Sequence, residues 1–134
     1  MPQQQSRIIY NSACEVLNEK GYFKKRPFKQ VEKHNEEFIG AVVIDVVLGG
    51  SVSGFVSFAY STSFVVNLMN FVDGEAISAL MYISAEIASG IGKRYAISCE
   101  IGKPYLTKRL KLRPDERVAL DTGMGIIEID VSVF

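Results

Sequence analysis

The longest stretch in which apolar and polar positions alternate with a helical period runs from Asp73 to Arg94, D-G-E-A-I-S-A-L-M-Y-I-S-A-E-I-A-S-G-I-G-K-R. Ile77, Leu80, Ser84, Ile87 and Ile91 recur at steps of three and four, and Ala76, Ile83 and Ala88 widen the stripe, which predicts an amphipathic helix. Asp73 suits its N-cap, Glu75 its positive end, and Lys93 and Arg94 its negative end. Against the stripe runs a second line, Tyr82, Glu86, Ser89 and Lys93: a carboxylate one turn before a hydroxyl, among small residues. On an arbitrary helix such a face is ordinary solvated surface.

The rest of the chain alternates between the two periods. Ser6 to Lys20 reads as a first helix, with Ile8, Ile9, Ser12, Ala13, Val16 and Leu17 on one side, Ser6 as cap and Gly21 as stop. Pro27 forbids a central ladder position, so Lys25 to Lys33 is an edge strand at most, and the basic stretch Lys24 to Lys29 fits the usual defence of an exposed edge. Phe38 to Leu48 is the strongest strand signal. Val42, Ile44, Val46 and Leu48 oppose Ala41, Val43 and Val47, so both faces need a cover. Gly49-Gly50-Ser51 is a hairpin turn leading into Ser53 to Tyr60. One hydroxyl of Tyr60-Ser61-Thr62-Ser63 then caps a short helix lined by Phe64, Leu68 and Phe71.

After the long helix, Tyr95 to Ile101 reads as a strand ended by Gly102-Lys103-Pro104, and Leu106 to Leu112 is basic and alternating. Arg113-Pro114-Asp115-Glu116 is a turn. Arg117 to Asp121 and Ile126 to Phe134 form a closing hairpin around Thr122-Gly123-Met124-Gly125. In its second strand Ile127, Ile129, Val131 and Val133 face in, while Glu128, Asp130 and Ser132 face out. Helices grouped between antiparallel strands predict an α+β fold, a single domain over residues 1–134 with about three helices on one face of an antiparallel sheet.

Composition narrows the function classes. The 134 residues carry 15 basic and 15 acidic side chains, so no global field points to nucleic acid or an anionic membrane. No apolar run reaches the ~18 residues that span a bilayer, and the N-terminus lacks a signal-peptide pattern, so a cytoplasmic protein is expected. Cys14 and Cys99 have no metal-site spacing and read as buried small hydrophobes. His34, the one histidine, stands in the polar turn K-H-N-E-E with no second ligand nearby. A hydrophobic content of 48% is high for this length, and the doubly apolar Phe38–Leu48 strand suggests that the sheet continues into a second copy. Sedimentation equilibrium at micromolar concentration is expected to return a homodimer mass; a monomer mass contradicts that expectation.

Familiar motifs fail on spacing. Gly90-Ile91-Gly92-Lys93 is not a phosphate loop, because Ile87 stands where the first glycine belongs and Arg94 where the hydroxyl belongs. Gly123-Met124-Gly125 lies between strands, not before a helix. Serine chemistry lacks a base, and Asp45, Glu75, Glu86 and Glu100 are scattered rather than paired. By themselves the residues give a fold class and a candidate face, but no reaction.

From Ser6 to Phe134 the order of segments resembles the CheX branch of the CheC/CheX/FliY chemotaxis phosphatases. The resemblance rests on the first helix, the G-G-S-V-S-G-F-V-S-F turn and strand, the short helix running into D-G, the long helix with Y-I-S-A-E-I-A-S-G-I-G, and the closing T-G-M-G-I-I-E-I-D-V. It implies removal of phosphate from the aspartyl-phosphate of a CheY-like response regulator by an E-x-x-N motif on the long helix. In that family the Glu anchors the receiver and the Asn carboxamide orients the attacking water, while Mg2+ belongs to the receiver, so the chain has no cofactor of its own. Glu86 holds the Glu position and Gly92 falls where the family keeps a small residue, but the Asn position holds Ser89. The candidate catalytic pair is thus Glu86 and Ser89, and the candidate partner-binding set is Tyr82, Glu86, Ser89 and Lys93. A carboxamide offers one acceptor and two donors on a longer arm than a hydroxyl, and ~1 Å of misplacement can cost ~100-fold. Two expectations follow: a phosphatase (a hydrolase) with a degenerate E-x-x-S site, or a non-catalytic CheX-like module that docks a receiver or another signalling partner.

Overall fold

In a computed structural model, which describes residues 2–20, 29–31, 37–48, 51–70, 75–94, 100–101, 105–107 and 116–133, the α+β architecture expected from the sequence is the one observed. The elements follow in the order α1 (Pro2–Lys20), β1 (Lys29–Val31), β2 (Phe38–Leu48), β3 (Ser51–Ser61), α2 (Thr62–Met69), α3 (Ala76–Arg94), β4 (Glu100–Ile101), β5 (Tyr105–Thr107), β6 (Glu116–Asp121) and β7 (Ile126–Val133). The strands form one sheet in the order β1-β6-β7-β3-β2-β4, with β5 also on β2, and every pairing is antiparallel. Within the expected Lys25 to Lys33 stretch, Lys29–Val31 forms β1, an edge strand as expected; the rest of that stretch lies outside the described residues.

Register fixes which side chains share a face. Val42 stands opposite Phe58, Phe58 opposite Ile129, and Ile129 opposite Val118; one step along the ladder, Tyr60 stands opposite Ile127 and Ile127 opposite Leu120. This parity forms the core with Ile9, Ala13 and Leu17 of α1, Phe64 and Leu68 of α2, and Ile83, Ile87 and Ile91 of α3, so all three helices lie on one side of the sheet. Burying apolar area there stabilises the fold by about 25 cal/mol per Å2 removed from water.

The opposite parity corrects one expectation. Glu128 and Asp130 do not face solvent; they are 4% and 8% exposed. Arg117 is the cross-strand partner of Asp130 and grips its carboxylate with the Nε–Nη2 edge of the guanidinium, Nε donating to Oδ1 at 2.7 Å and Nη2 to Oδ2 at 3.1 Å. The same Nε lies 3.5 Å from Glu128 Oε1. Two carboxylates can be buried beside small neighbours such as Ser57 and Ala59 because a cation shares their ladder. Ala41 and Val43 are also buried on this face, so β2 is covered on both sides as its composition demands.

Two helix starts and one stripe position differ from the sequence reading. Helix α1 begins at Pro2 rather than Ser6, with proline in the first turn, where its missing N–H has no partner to lose. Helix α3 begins at Ala76; Asp73 lies outside the described residues, and Glu75 takes the capping position. Its carbonyl accepts the Ala79 N–H at 3.2 Å and its carboxylate accepts the Ser78 hydroxyl at 2.7 Å. Ile77, read as part of the buried stripe, is 57% exposed. It sits in the first turn of α3 beside an apolar hollow of about 210 Å3 that Leu80, Val65 and Val42 also line. The segments holding Lys24 to Phe28, His34, Gly49-Gly50, Cys99, Pro104 and Pro114 lie outside the described residues.

Candidate functional site

Helix α3 carries the candidate face, and its inward side decides how firmly that face is held. Ile83, Ser84 and Ile87 are fully buried. The Ser84 hydroxyl donates to the Leu80 carbonyl one turn back, at 2.7 Å, and its oxygen lies 2.6 Å from the Tyr60 hydroxyl. With the serine proton committed to Leu80, Tyr60 is the donor in the second bond. Burial pushes the Tyr60 hydroxyl above the ordinary tyrosine range, against a smaller opposite pull from Ser84, so it keeps the proton that it donates. A central strand is thus tied to the middle of α3 by a two-link chain inside the core.

The C-terminal half of α3 is set by α1. A methyl group built on Gly90 would lie 3.6 Å from Ser12 Cβ, in ordinary contact, so the helices approach closely there. Ser12 Oγ is buried in this contact without a hydrogen-bond partner. The N-terminal side rests on a second hub. Ser61 caps α2 by accepting the Phe64 N–H at 3.2 Å, and also accepts the Ile126 N–H at 2.9 Å, from the far end of the Thr122–Gly125 turn. Gly125 has a φ of +155°, and a Cβ there would fall 2.4 Å from the Phe64 nitrogen, so only glycine fits. Asn67 Nδ2 donates to the Met124 carbonyl at 2.7 Å, closing the turn against α2.

With the inward side fixed, the outward row follows from the helical repeat. Tyr82, Glu86 and Ser89 are four and three residues apart and share one face; Tyr82 is 52% exposed, and Glu86 and Ser89 are half-buried. Lys93 occupies the next position of the row on the helix, and its side chain lies outside the described residues. The row therefore brings together a phenol, a carboxylate and a hydroxyl on a rigid element. A carboxylate here can pair with a cation on a partner, and a hydroxyl can give and take one hydrogen bond each. Among the described residues no group of three or more His, Cys, Asp or Glu side chains could hold a metal ion, and no helix is long and apolar enough to cross a membrane. Cys14 is half-buried rather than buried; it is a free thiol hydrogen-bonded to Tyr10 and raised in pKa by desolvation.

Sequence reasoning placed Ser84 on the inward side of α3 and placed the α2 cap among the hydroxyls of Tyr60 to Ser63 without singling out Ser61. It missed the Tyr60–Ser84 bond, which joins residues 24 apart in the chain, and the reach of Ser61 to Ile126, 65 residues away.

No protein-family model and no curated protein sequence matches the chain. Solved structures do. The chemotaxis protein CheX from Vibrio vulnificus superposes with a TM-score of 0.71 at 13% identity, over 94% of this chain and 93% of that one. A putative chemotaxis protein from Desulfovibrio vulgaris Hildenborough gives 0.73 at 11% identity, over 98% and 97% of the two chains. The CheX-CheY-BeF3-Mg+2 complex from Borrelia burgdorferi gives 0.68 at 14% identity, over 95% and 96%. The chain has the fold of the CheX/CheC-like chemotaxis proteins.

The Tyr60–Ser84 chain yields an asymmetric prediction in urea unfolding. Tyr60→Phe removes one bond and leaves Ser84 satisfied by Leu80, at a cost of about 1 kcal/mol; Ser84→Ala strands a buried hydroxyl and costs about 1–3 kcal/mol. The double variant should lose less than the sum of the two. Equal and additive losses would show that the bond carries no coupling.

Proposed function

We propose that the chain is a CheX-like signalling protein acting on a phosphorylated CheY-like response regulator through the outward row of α3. The observation that carries this reading is that Glu86 and Ser89 stand together on the outward side of a helix fixed to the core, in a chain with the fold of CheX. A solved complex of a protein with the same fold contains CheY. Glu86 anchors the receiver by pairing with a lysine or arginine. Ser89 is the residue aimed at the receiver's aspartyl-phosphate, where its hydroxyl can hold a water for attack on phosphorus. The magnesium ion belongs to the receiver.

Because Ser89 has a shorter arm and one donor fewer than a carboxamide, hydrolysis by this site is slow. That feature also favours the second reading, a module that docks the receiver and leaves its phosphate in place.

The decay of a phosphorylated CheY-like receiver from the same organism, followed with and without the chain, separates these readings. Acceleration supports the phosphatase, and Ser89→Asn should increase it further. Binding with unchanged decay in both proteins supports the docking module. Glu86→Lys should weaken receiver binding at least tenfold in either case, since a charge-assisted bond at an interface contributes about 1.5–3 kcal/mol. Its melting temperature should hold, because the residue is off the buried stripe. Unaltered affinity after Glu86→Lys contradicts both.

A further inference from the structure

The row on α3 does not begin at Tyr82. Counting back by four and by three reaches Ser78 and Glu75, both exposed. Glu75 is the capping residue, so its position is set by its own carbonyl bond to Ala79, and the Ser78 hydroxyl steadies its carboxylate. Eleven residues separate Glu75 from Glu86, about 16 Å along a helix that rises 1.5 Å per residue. Tyr82 stands between them, about 10 Å from the first and about 6 Å from the second. Three of its neighbours on the helix surface, Ser78, Ala79 and Ala85, are small, and the fourth, one turn on, is Glu86 itself. A large aromatic ring, half exposed and rising from a floor of small residues between two carboxylates, is the arrangement of an interface anchor with a charged rim.

We infer that Tyr82 is the apolar anchor of the docking surface and that Glu75 is its second charged contact. The partner is a protein surface that offers a slot for a phenol ring between two basic side chains spaced about 16 Å apart. Charge complementarity commits the occupant: a partner with acidic groups at those two points would be repelled by both carboxylates. The inference rests on the receiver-docking reading and adds the part of the surface that selects among receivers. A receiver with a basic residue opposite Glu86 but none opposite Glu75 binds, yet less tightly.

The two contacts differ in their response to salt, which makes them separable. A rim charge acts through the screened field and mainly changes the association rate; an aromatic anchor acts through desolvated contact and mainly changes the dissociation rate. The probe is a CheY-like receiver from the same organism, activated with beryllofluoride and magnesium, with association and dissociation rates measured in about 0.1 M and about 1 M salt. Tyr82→Ala should weaken binding roughly tenfold or more at both salt levels, through faster dissociation. Glu75→Lys should slow association about three- to fivefold at the lower salt, and the difference should vanish at the higher, where screening acts within about 3 Å. Melting temperatures near that of the unmodified chain confirm that both variants are folded. If Glu86→Lys weakens binding while Tyr82→Ala and Glu75→Lys bind normally, the extended surface is wrong and the docking reading stands. If all three bind normally, the docking reading itself fails.

Discussion

The hydrogen-bond chain from Tyr60 through Ser84 to the Leu80 carbonyl is the constraint on which the candidate site depends. A buried hydroxyl that lacks a partner costs about 1–3 kcal/mol, so two hydroxyls facing each other inside a core hold their elements at one separation and one rotation. Ser84 lies on the side of α3 opposite Tyr82, Glu86 and Ser89. Turning the helix enough to change what the outward row presents would break the bond to Tyr60 and expose Ile83 or Ile87, both fully buried. The polar pair thus specifies orientation, while the apolar stripe around it supplies most of the stabilisation.

Two further contacts limit the ends of the arrangement. Gly90 against Ser12 lets α1 approach the C-terminal half of α3. At the other end, Ser61 serves both the α2 cap and the Thr122–Gly125 turn, and Gly125 leaves that turn no room for a side chain. The sheet's other face is secured differently, by Arg117 bridging Asp130 and Glu128 across neighbouring strands. The two carboxylates of that cluster are buried while the guanidinium is partly exposed, so the pairing is stronger than one in open water.

Local periodicity made much of this legible in the sequence. The period-two runs located β2 with its bounds as observed and β3, β6 and β7 to within two residues, and the apolar steps placed Leu80, Ser84, Ile87 and Ile91 inward. Polar character misled where a partner came from elsewhere in the chain: Glu128 and Asp130 read as solvated because Arg117 lies on another strand. Ile77 misled for the opposite reason, since periodicity says which side of a helix is apolar but not where the neighbouring elements stop. Tyr82, Glu86 and Ser89 were readable as one row of α3. Spacing could not tell a docking surface from a solvated one, because a solvated helix face obeys the same period.

The most direct test of the central claim is to map the contact surface. Backbone amide shifts of the isotope-labelled chain, recorded as a beryllofluoride-activated CheY-like receiver is added, should change at Tyr82, Glu86 and Ser89 and along the outward row of α3. Amides of the Arg117 and Asp130 ladder, on the other side of the sheet, should remain in place. Changes centred on β6 and β7, or none at any receiver concentration, would contradict the account.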